Sequence, residues 1–242
     1  MVKENDKEKL EEAIDISQAE LKVQVETIEK HSKEFELIER LRDILINGFN
    51  MIGLYKPRST ADEAKLLIVT RSFHSFRCSV ELMKKAYYSQ AVSILRMMTE
   101  DYFLCGNLEK DATIVESLLG RVEKKFNFFE LATNMKANKV YETYKLQCDF
   151  SHCKAESIGT LIEKIDNNTL QAKIIPSYDE TFFMMCCEML LLGGLRIVYT
   201  LDELIDKNNQ ENIENRKNEF RIFMNDFKKW IDNLKINYDE ID

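Results

Sequence analysis

The sequence predicts an all-α fold, a helical bundle with a long N-terminal helix. Seven glycines and two prolines in 242 residues are too few for a turn-rich β-sandwich or barrel. Apolar residues recur at helical spacing over most of the chain, and 45% of all residues are hydrophobic, as in a folded globular protein. The pattern leaves room for one small β-hairpin inserted between helices.

An apolar stripe predicts that the N-terminal segment is one long helix, which continues to Leu45 and exposes His31. Its residues recur at intervals of three, four and seven, as in a coiled-coil seam: Leu10, Ile14, Leu21, Val25, Ile28, Phe35, Ile38 and Leu45. A compact bundle does not cover a stripe of this length. We therefore expect it to meet either the C-terminal helix or a second subunit, and we favour a homodimer.

The middle of the chain divides into successive helices. Thr60 and Glu63 have capping-box spacing and open the first of them. The predicted helices lie at about 61–85, 89–106, 111–129 and 138–150. The second is expected to lie centrally, because its only charged residues are Arg96, Glu100 and Asp101.

The pattern changes after residue 156. The only strand candidate is a short hairpin between Ser157 and Asp179. The following run, 181–201, is almost apolar enough to cross a membrane, but Glu188 and Arg196 lie inside it. Each charge would cost about 2.5–3.5 kcal/mol near the centre of a bilayer. We therefore predict a buried core helix and no membrane association.

Three regions are expected along the chain. The N-terminal helix and its connector occupy 1–57, and the central bundle occupies 58–206. The region 207–242 forms a last amphipathic helix that packs on the bundle or on a dimer partner. Its stripe is again heptad-like: Ile213, Phe220, Phe223, Phe227, Trp230 and Leu234.

Charge and cysteine content restrict the class of protein. A net charge of −8 argues against nucleic-acid binding driven by overall charge. The charged N-terminus does not resemble a signal peptide, so we expect a cytoplasmic protein whose six cysteines stay reduced. No CxxC, GxxxxGK[ST], GxGxxG, GxSxG or HExxH motif occurs, and no cofactor is predicted.

Several polar residues lie in apolar helices and form the candidate site: Arg71, His74, Arg96, Glu100, Ser151, Glu188 and Arg196. Buried charges must be paired, so these groups are expected to converge. One interpretation is a structural network that fixes helix register. The other is an anion or phosphate pocket formed by Arg71 and Arg96, with His152 as acid or base. Cys148, Asp149, His152 and Cys153 fit no zinc spacing, and no metal is predicted.

Three stretches carry a family resemblance: residues 71–103, the Asp-Phe-Ser-His element at 149–152, and the apolar helix after the hairpin. They resemble a group of bacterial helical proteins of unknown function. In that group an aromatic-rich junction precedes a helix with Arg-x-x-x-Glu, and a Ser-His element follows later. Four residues match the pattern: Arg96, Glu100, Ser151 and His152. This resemblance covers about 61–204 and implies no activity.

A more distant similarity is to the HEPN helical bundles, many of which are RNases of toxin–antitoxin or antiviral defence systems. Their signature is an arginine, four to six residues and a histidine, which meet across a homodimer. Here Lys145 stands seven positions before His152, with lysine in place of arginine. The similarity implies that His152, Lys145 and Asp149 would cleave RNA without a metal.

Two hypotheses follow from the sequence. The first, which we favour, is a non-enzymatic binding or oligomerisation module that forms a homodimer or binds a protein partner or small anion. The second is a HEPN-like RNase, the only case in which RNA is a partner. Whether the protein is an enzyme stays open at this stage.

Overall fold

The all-α prediction is confirmed. The computed structural model describes residues 4–53, 57–152, 162–164, 170–172, 176–206 and 213–239. Their helices are α1 (Glu4–Lys30), α2 (Ser32–Ile52), α3 (Thr60–Lys84), α4 (Tyr88–Cys105), α5 (Ala112–Leu118), α6 (Phe128–Asn134), α7 (Asn138–Ser151), α8 (Glu180–Asp206) and α9 (Ile213–Asp239). Within the stretch predicted to hold a hairpin, β1 (Ile162–Lys164) and β2 (Leu170–Ala172) pair antiparallel.

Local capping sets several helix starts. The Ser59 hydroxyl accepts a hydrogen bond from the Asp62 backbone N–H and caps α3 one residue earlier than the capping box predicts. The predicted helix 111–129 is wrong in its second half. Asp111 caps α5, but the chain leaves the helix after Leu118, and Gly120 adopts a left-handed φ of 71°. A separate short helix, α6, follows.

The N-terminal helix is not continuous to Leu45, which corrects the prediction of one long helix. The backbone leaves helical geometry at His31, with φ −117° and ψ 35°, so that α1 and α2 are separate helices. His31 is also not exposed as predicted. It is only 5% exposed and stacks on Phe183 of α8, with ring centroids 3.8 Å apart.

The core forms around α8. The larger of two apolar clusters joins α2, α3, α4, α8 and α9, and α8 supplies its centre. Residues 180–205 are long and apolar enough to cross a membrane, but 61% of the apolar window is buried inside the bundle. The helix α8 therefore has most of its apolar surface packed against other helices of the bundle. The second cluster lies between α3, α4, α5, α6 and α7.

The C-terminal helix packs against α2. Phe223 is fully buried in the main cluster and Phe227 is nearly so. Arg216, 5% exposed, donates to the Ile44 carbonyl of α2 at 2.5 Å and to Asp202 of α8 at 2.7 Å. One guanidinium therefore joins three helices of the bundle.

Candidate functional site

A buried carboxylate joins α3 to α4. Asp101 is only 1% exposed and accepts a hydrogen bond from the Ser72 hydroxyl at 2.6 Å. The Arg71 guanidinium donates to both carboxylate oxygens, with Nε 3.3 Å from Oδ2 and Nη2 in close contact with Oδ1. The hydrogen bonds to Asp101 raise the pKa of Arg71. The geometry is the bidentate pairing that suits arginine.

A second ion pair lies on α4 itself. Arg96 Nε is 3.4 Å from Glu100 Oε1, at the i,i+4 spacing seen in the sequence. Tyr144 of α7 donates its hydroxyl to the same oxygen at 3.3 Å. Burial raises the pKa of Glu100, although Arg96 and the Tyr144 hydrogen bond act in the opposite direction. The pair therefore joins α4 to α7.

The two pairs form one cluster, called here the charge quartet: Arg71, Arg96, Glu100 and Asp101. Both residues of the other pair act electrostatically on the pKa of Glu100, which Asp101 raises and Arg71 lowers. Each guanidinium already faces a carboxylate of the quartet, so two positive charges are balanced by two negative ones. Arg71 and Arg96, the two arginines predicted to form an anion pocket, are therefore each paired with a carboxylate of the chain.

Asp101 is the residue that sequence reasoning missed. It is separated from Arg71 by 30 positions, so no local spacing connects them. The only signal was its presence as one of three charges in an apolar helix. Pairing with Arg71 depends on how α3 and α4 pack, which the sequence pattern does not specify.

Arg196 also lies near the quartet, but its partly buried guanidinium contacts an aromatic ring instead of a carboxylate. Its guanidinium stacks over the ring of Tyr102, 4.7 Å from the centroid. Among the described residues, no carboxylate forms an ion pair with it. Burial lowers the pKa of Arg196. Arg196 also lines, with Ser72 and Asp101, a small cleft of about 20 Å³, which is room for one water molecule.

Two of the predicted site residues lie elsewhere. His74 is exposed on α3, and Glu188 is exposed on α8. The expectation that Glu188 is buried and paired is wrong, because the apolar surface of α8 does not extend around its whole circumference. The predicted convergence of all the polar residues is therefore only partial.

The end of α7 is also separate from the quartet. Ser151 donates its hydroxyl to the Gln147 carbonyl one turn earlier, at 2.8 Å, and His152 is the exposed residue that follows the helix. Lys145 pairs with Glu142 at 2.5 Å. That hydrogen bond, with a smaller contribution from Asp149, raises the pKa of Lys145.

Metal ligands are not gathered in the part of the chain that the structure describes. No group of three or more His, Cys, Asp or Glu side chains there could hold an ion. Cys153, which stands close to Cys148, Asp149 and His152 in the sequence, lies outside the described residues.

The segment that carries the quartet matches a known family model. Residues 62–174 match DUF5677, a family of unknown function. The predicted resemblance to an uncharacterised family is confirmed over this segment, which is a little under half of the 242-residue chain. No curated protein and no solved structure matches the chain. The DUF5677 segment runs from α3 through β2 and contains the whole quartet, whereas Arg196 and the helices α1, α2, α8 and α9 lie outside it.

Proposed function

We propose that this protein is a cytoplasmic, non-enzymatic assembly module, in which α1 carries the surface that pairs two copies. One observation carries the proposal. Three large apolar side chains on α1 are exposed in a row: Leu21 by 60%, Val25 by 48% and Ile28 by 38%. Their spacings of four and three place them on one face of the helix.

The opposite face of α1 is anchored on the bundle. Glu20 accepts hydrogen bonds from the Tyr87 hydroxyl and from Lys85 Nζ at the end of α3. Val23 packs against the main apolar cluster, and Thr27 is fully buried. The helix is therefore held in place by one face while its apolar outer face meets water.

A second copy is the occupant that fits this face best. The heptad-like spacing continues in the sequence to Ile14 and Leu10, towards the start of a 27-residue helix about 40 Å long. Repeats of this kind are typical of helices that pair with each other. Closed twofold association is the commonest form of self-assembly, because it buries both copies of a patch at once.

The quartet supports a structural rather than a catalytic role. Its charges balance each other and join α3, α4 and α7. A network of this kind fixes the register of packed helices.

Sedimentation velocity at micromolar concentrations tests the proposal. We expect the unmodified chain to sediment as a dimer. Leu21→Asp with Val25→Asp should give a monomer whose helical circular dichroism spectrum is retained. Leu67→Asp with Ile222→Asp is the matched control, because both residues are 50% exposed but lie on α3 and α9. A monomeric unmodified chain, or equal dissociation by the control variant, would overturn the proposal.

The HEPN-like RNase is a second candidate, favoured by the position of His152. This histidine is exposed at the end of α7, two turns from Lys145 on the same helix, as a residue that reaches RNA would need to be. Under this proposal the protein acts in bacterial defence, with Asp149 beside the cationic residue. Cleavage of single-stranded RNA in EDTA, abolished by His152→Ala, would establish it. Intact RNA after prolonged incubation with the dimer would exclude it.

A further inference from the structure

A large apolar groove lies between α2 and α3, with a contribution from α4. Its volume is about 1060 Å³. Ile38, Phe76 and Val80 form its floor, and all three are buried within the main cluster. The part of α3 that lines it extends from Phe73 to Lys84. We call this feature the α2–α3 groove.

The rim of the α2–α3 groove has one unbalanced guanidinium. Arg42 pairs with Glu39 and Asp43, and Lys84 pairs with Glu81. Arg77 forms no ion pair with any described residue. The rim and its ion partners therefore hold three cations and three carboxylates, and Arg77 is the cation that is left for a contact with another molecule.

The outer face of α1 has exposed apolar side chains and a carboxylate that could meet Arg77. Six residues lie together on the exposed face of this helix, which is called here the α1 ridge: Gln18, Leu21, Lys22, Val25, Glu26 and Glu29. Glu26 pairs with Lys30 at 2.8 Å, whereas Glu29 forms no ion pair with any described residue. The ridge therefore combines exposed apolar side chains with one lysine, Lys22, and one carboxylate, Glu29, that form no ion pair with any described residue.

The α1 ridge and the α2–α3 groove also match in length. The ridge spans residues 18–29 of one helix, and the groove runs along residues 73–84 of another. Both spans are about 16 Å at the helical rise of 1.5 Å per residue. A helix that lays its apolar face into a groove between two others is a common mode of recognition.

We infer that the α1 ridge of each copy lies in the α2–α3 groove of the other, with Glu29 beside the partner's Arg77. This inference rests on the proposed self-assembly and specifies its docking site. Each copy has one ridge and one groove, so a single twofold operation covers both of each and leaves no site open. An arrangement in which α1 pairs only with α1 would leave the groove uncovered.

Cross-linking through a native thiol tests the docking site. Cys78 is exposed on the rim of the α2–α3 groove. In a Val25→Cys variant, a short bis-maleimide should join Val25→Cys of one copy to Cys78 of the other. The product should have twice the 28.5 kDa mass of the chain. Cys78→Ser should abolish the product, and Ile222→Cys, on the exposed side of α9, should not form it.

A charge exchange tests the ion pair. Arg77→Glu and Glu29→Arg should each weaken dimerisation by about two- to thirtyfold, because a twofold dimer contains this exposed pair twice. The double variant should recover the affinity of the unmodified chain. Lys84→Glu, at the same rim but already paired within its own chain, is the control that Glu29→Arg should not rescue.

The outcomes separate the inference from the proposal on which it rests. A monomeric unmodified chain would overturn both. A dimer that Leu21→Asp with Val25→Asp dissociates, but that gives no product through Cys78 and no rescue by the charge exchange, would overturn the docking site alone. A cross-link confined to one chain would also overturn it.

Discussion

Asp101 shows why a buried charge in an apolar helix has to be judged from its neighbours. Its two oxygens are taken by Arg71 and Ser72, and the cleft that it lines has room for only one water molecule. Local spacing was sufficient to predict the Arg96–Glu100 pair, since both residues lie on one helix. Sequence reasoning could not predict the Arg71–Asp101 pair, because it depends on the register between α3 and α4. It also placed Glu188 in the core, since hydropathy does not show which side of a helix faces water.

Removal of the Asp101 carboxylate should destabilise the fold. Asp101→Ala leaves Ser72 without its acceptor and Arg71 without its bidentate partner. Because Arg71 remains about half exposed and can be hydrated, we expect a loss of about 3 kcal/mol rather than the upper end of the range for broken buried pairs. Urea denaturation measures the change.

Glu100→Gln is the matched control for Asp101→Ala. The glutamine oxygen can still accept the hydrogen bond from Tyr144, and the burial that disfavours the Glu100 charge no longer acts. The ion pair with Arg96 is lost, but both of its side chains are partly exposed, so the cost should be about 1 kcal/mol or less. If Asp101→Ala is as stable as the unmodified protein, the carboxylate is not a structural tie and the quartet has to be reconsidered as a functional site.

At the scale of elements, helix type and order follow from apolar periodicity, but interruptions do not. No glycine or proline stands at position 31, and the stripe continues through it, so the sequence gives no sign that the helix ends. At the break, His31 stacks on Phe183 of α8, a tertiary contact that local sequence does not specify. Where a local signal exists it is clear: Asp111 caps α5 and Gly120 follows its end.

The packing of α8 against α2 and α3 requires a glycine at one position. A Cβ at Gly194 would lie 2.6 Å from Leu41 Cδ2 and 3.1 Å from the Phe76 ring, and both side chains are fully buried. Gly194→Ala should therefore destabilise the protein by about 1–3 kcal/mol, the usual cost of overpacking. Thermal unfolding measures this.

Gly193→Ala provides the neighbouring control. Its Cβ would meet the terminal methyl of Met98 at 2.8 Å, and that flexible side chain can move. The gain in helix propensity, about 1 kcal/mol, should then offset most of the strain. Equal destabilisation by both substitutions would contradict the specific requirement at Gly194.

Over the whole molecule, the helices outside the DUF5677 segment complete its core. The segment contains α3 and α4, but α2 and α8 cover them, and α9 packs on α2 in turn. The fold class and the central position of α8 could be predicted because they need only hydrophobic pattern. The arrangement at the α1–α2 break depends on residues that are distant in the sequence. His31 Nε2 lies 2.8 Å from the hydroxyl of Tyr178, which is 147 positions away.

This long-range contact should make the stability of the fold depend on pH. Burial lowers the pKa of His31 below its usual 6.5, although Glu34 and Glu180 oppose the shift and Lys30 adds to it. At a pH well above 6.5 the imidazole is neutral in both the folded and the unfolded chain, so His31 does not reduce the free energy of unfolding. As the pH falls, the unfolded chain binds a proton that the folded chain resists, so the free energy of unfolding should decrease between pH 7 and 5.5. Urea denaturation at fixed protein concentration should show this decrease in the unmodified protein and in His152→Gln, whose histidine is exposed at the end of α7. His31→Gln should show a flatter profile over the same range, since most carboxylates titrate below it. An unchanged slope in His31→Gln would show that His31 is not the titrating group.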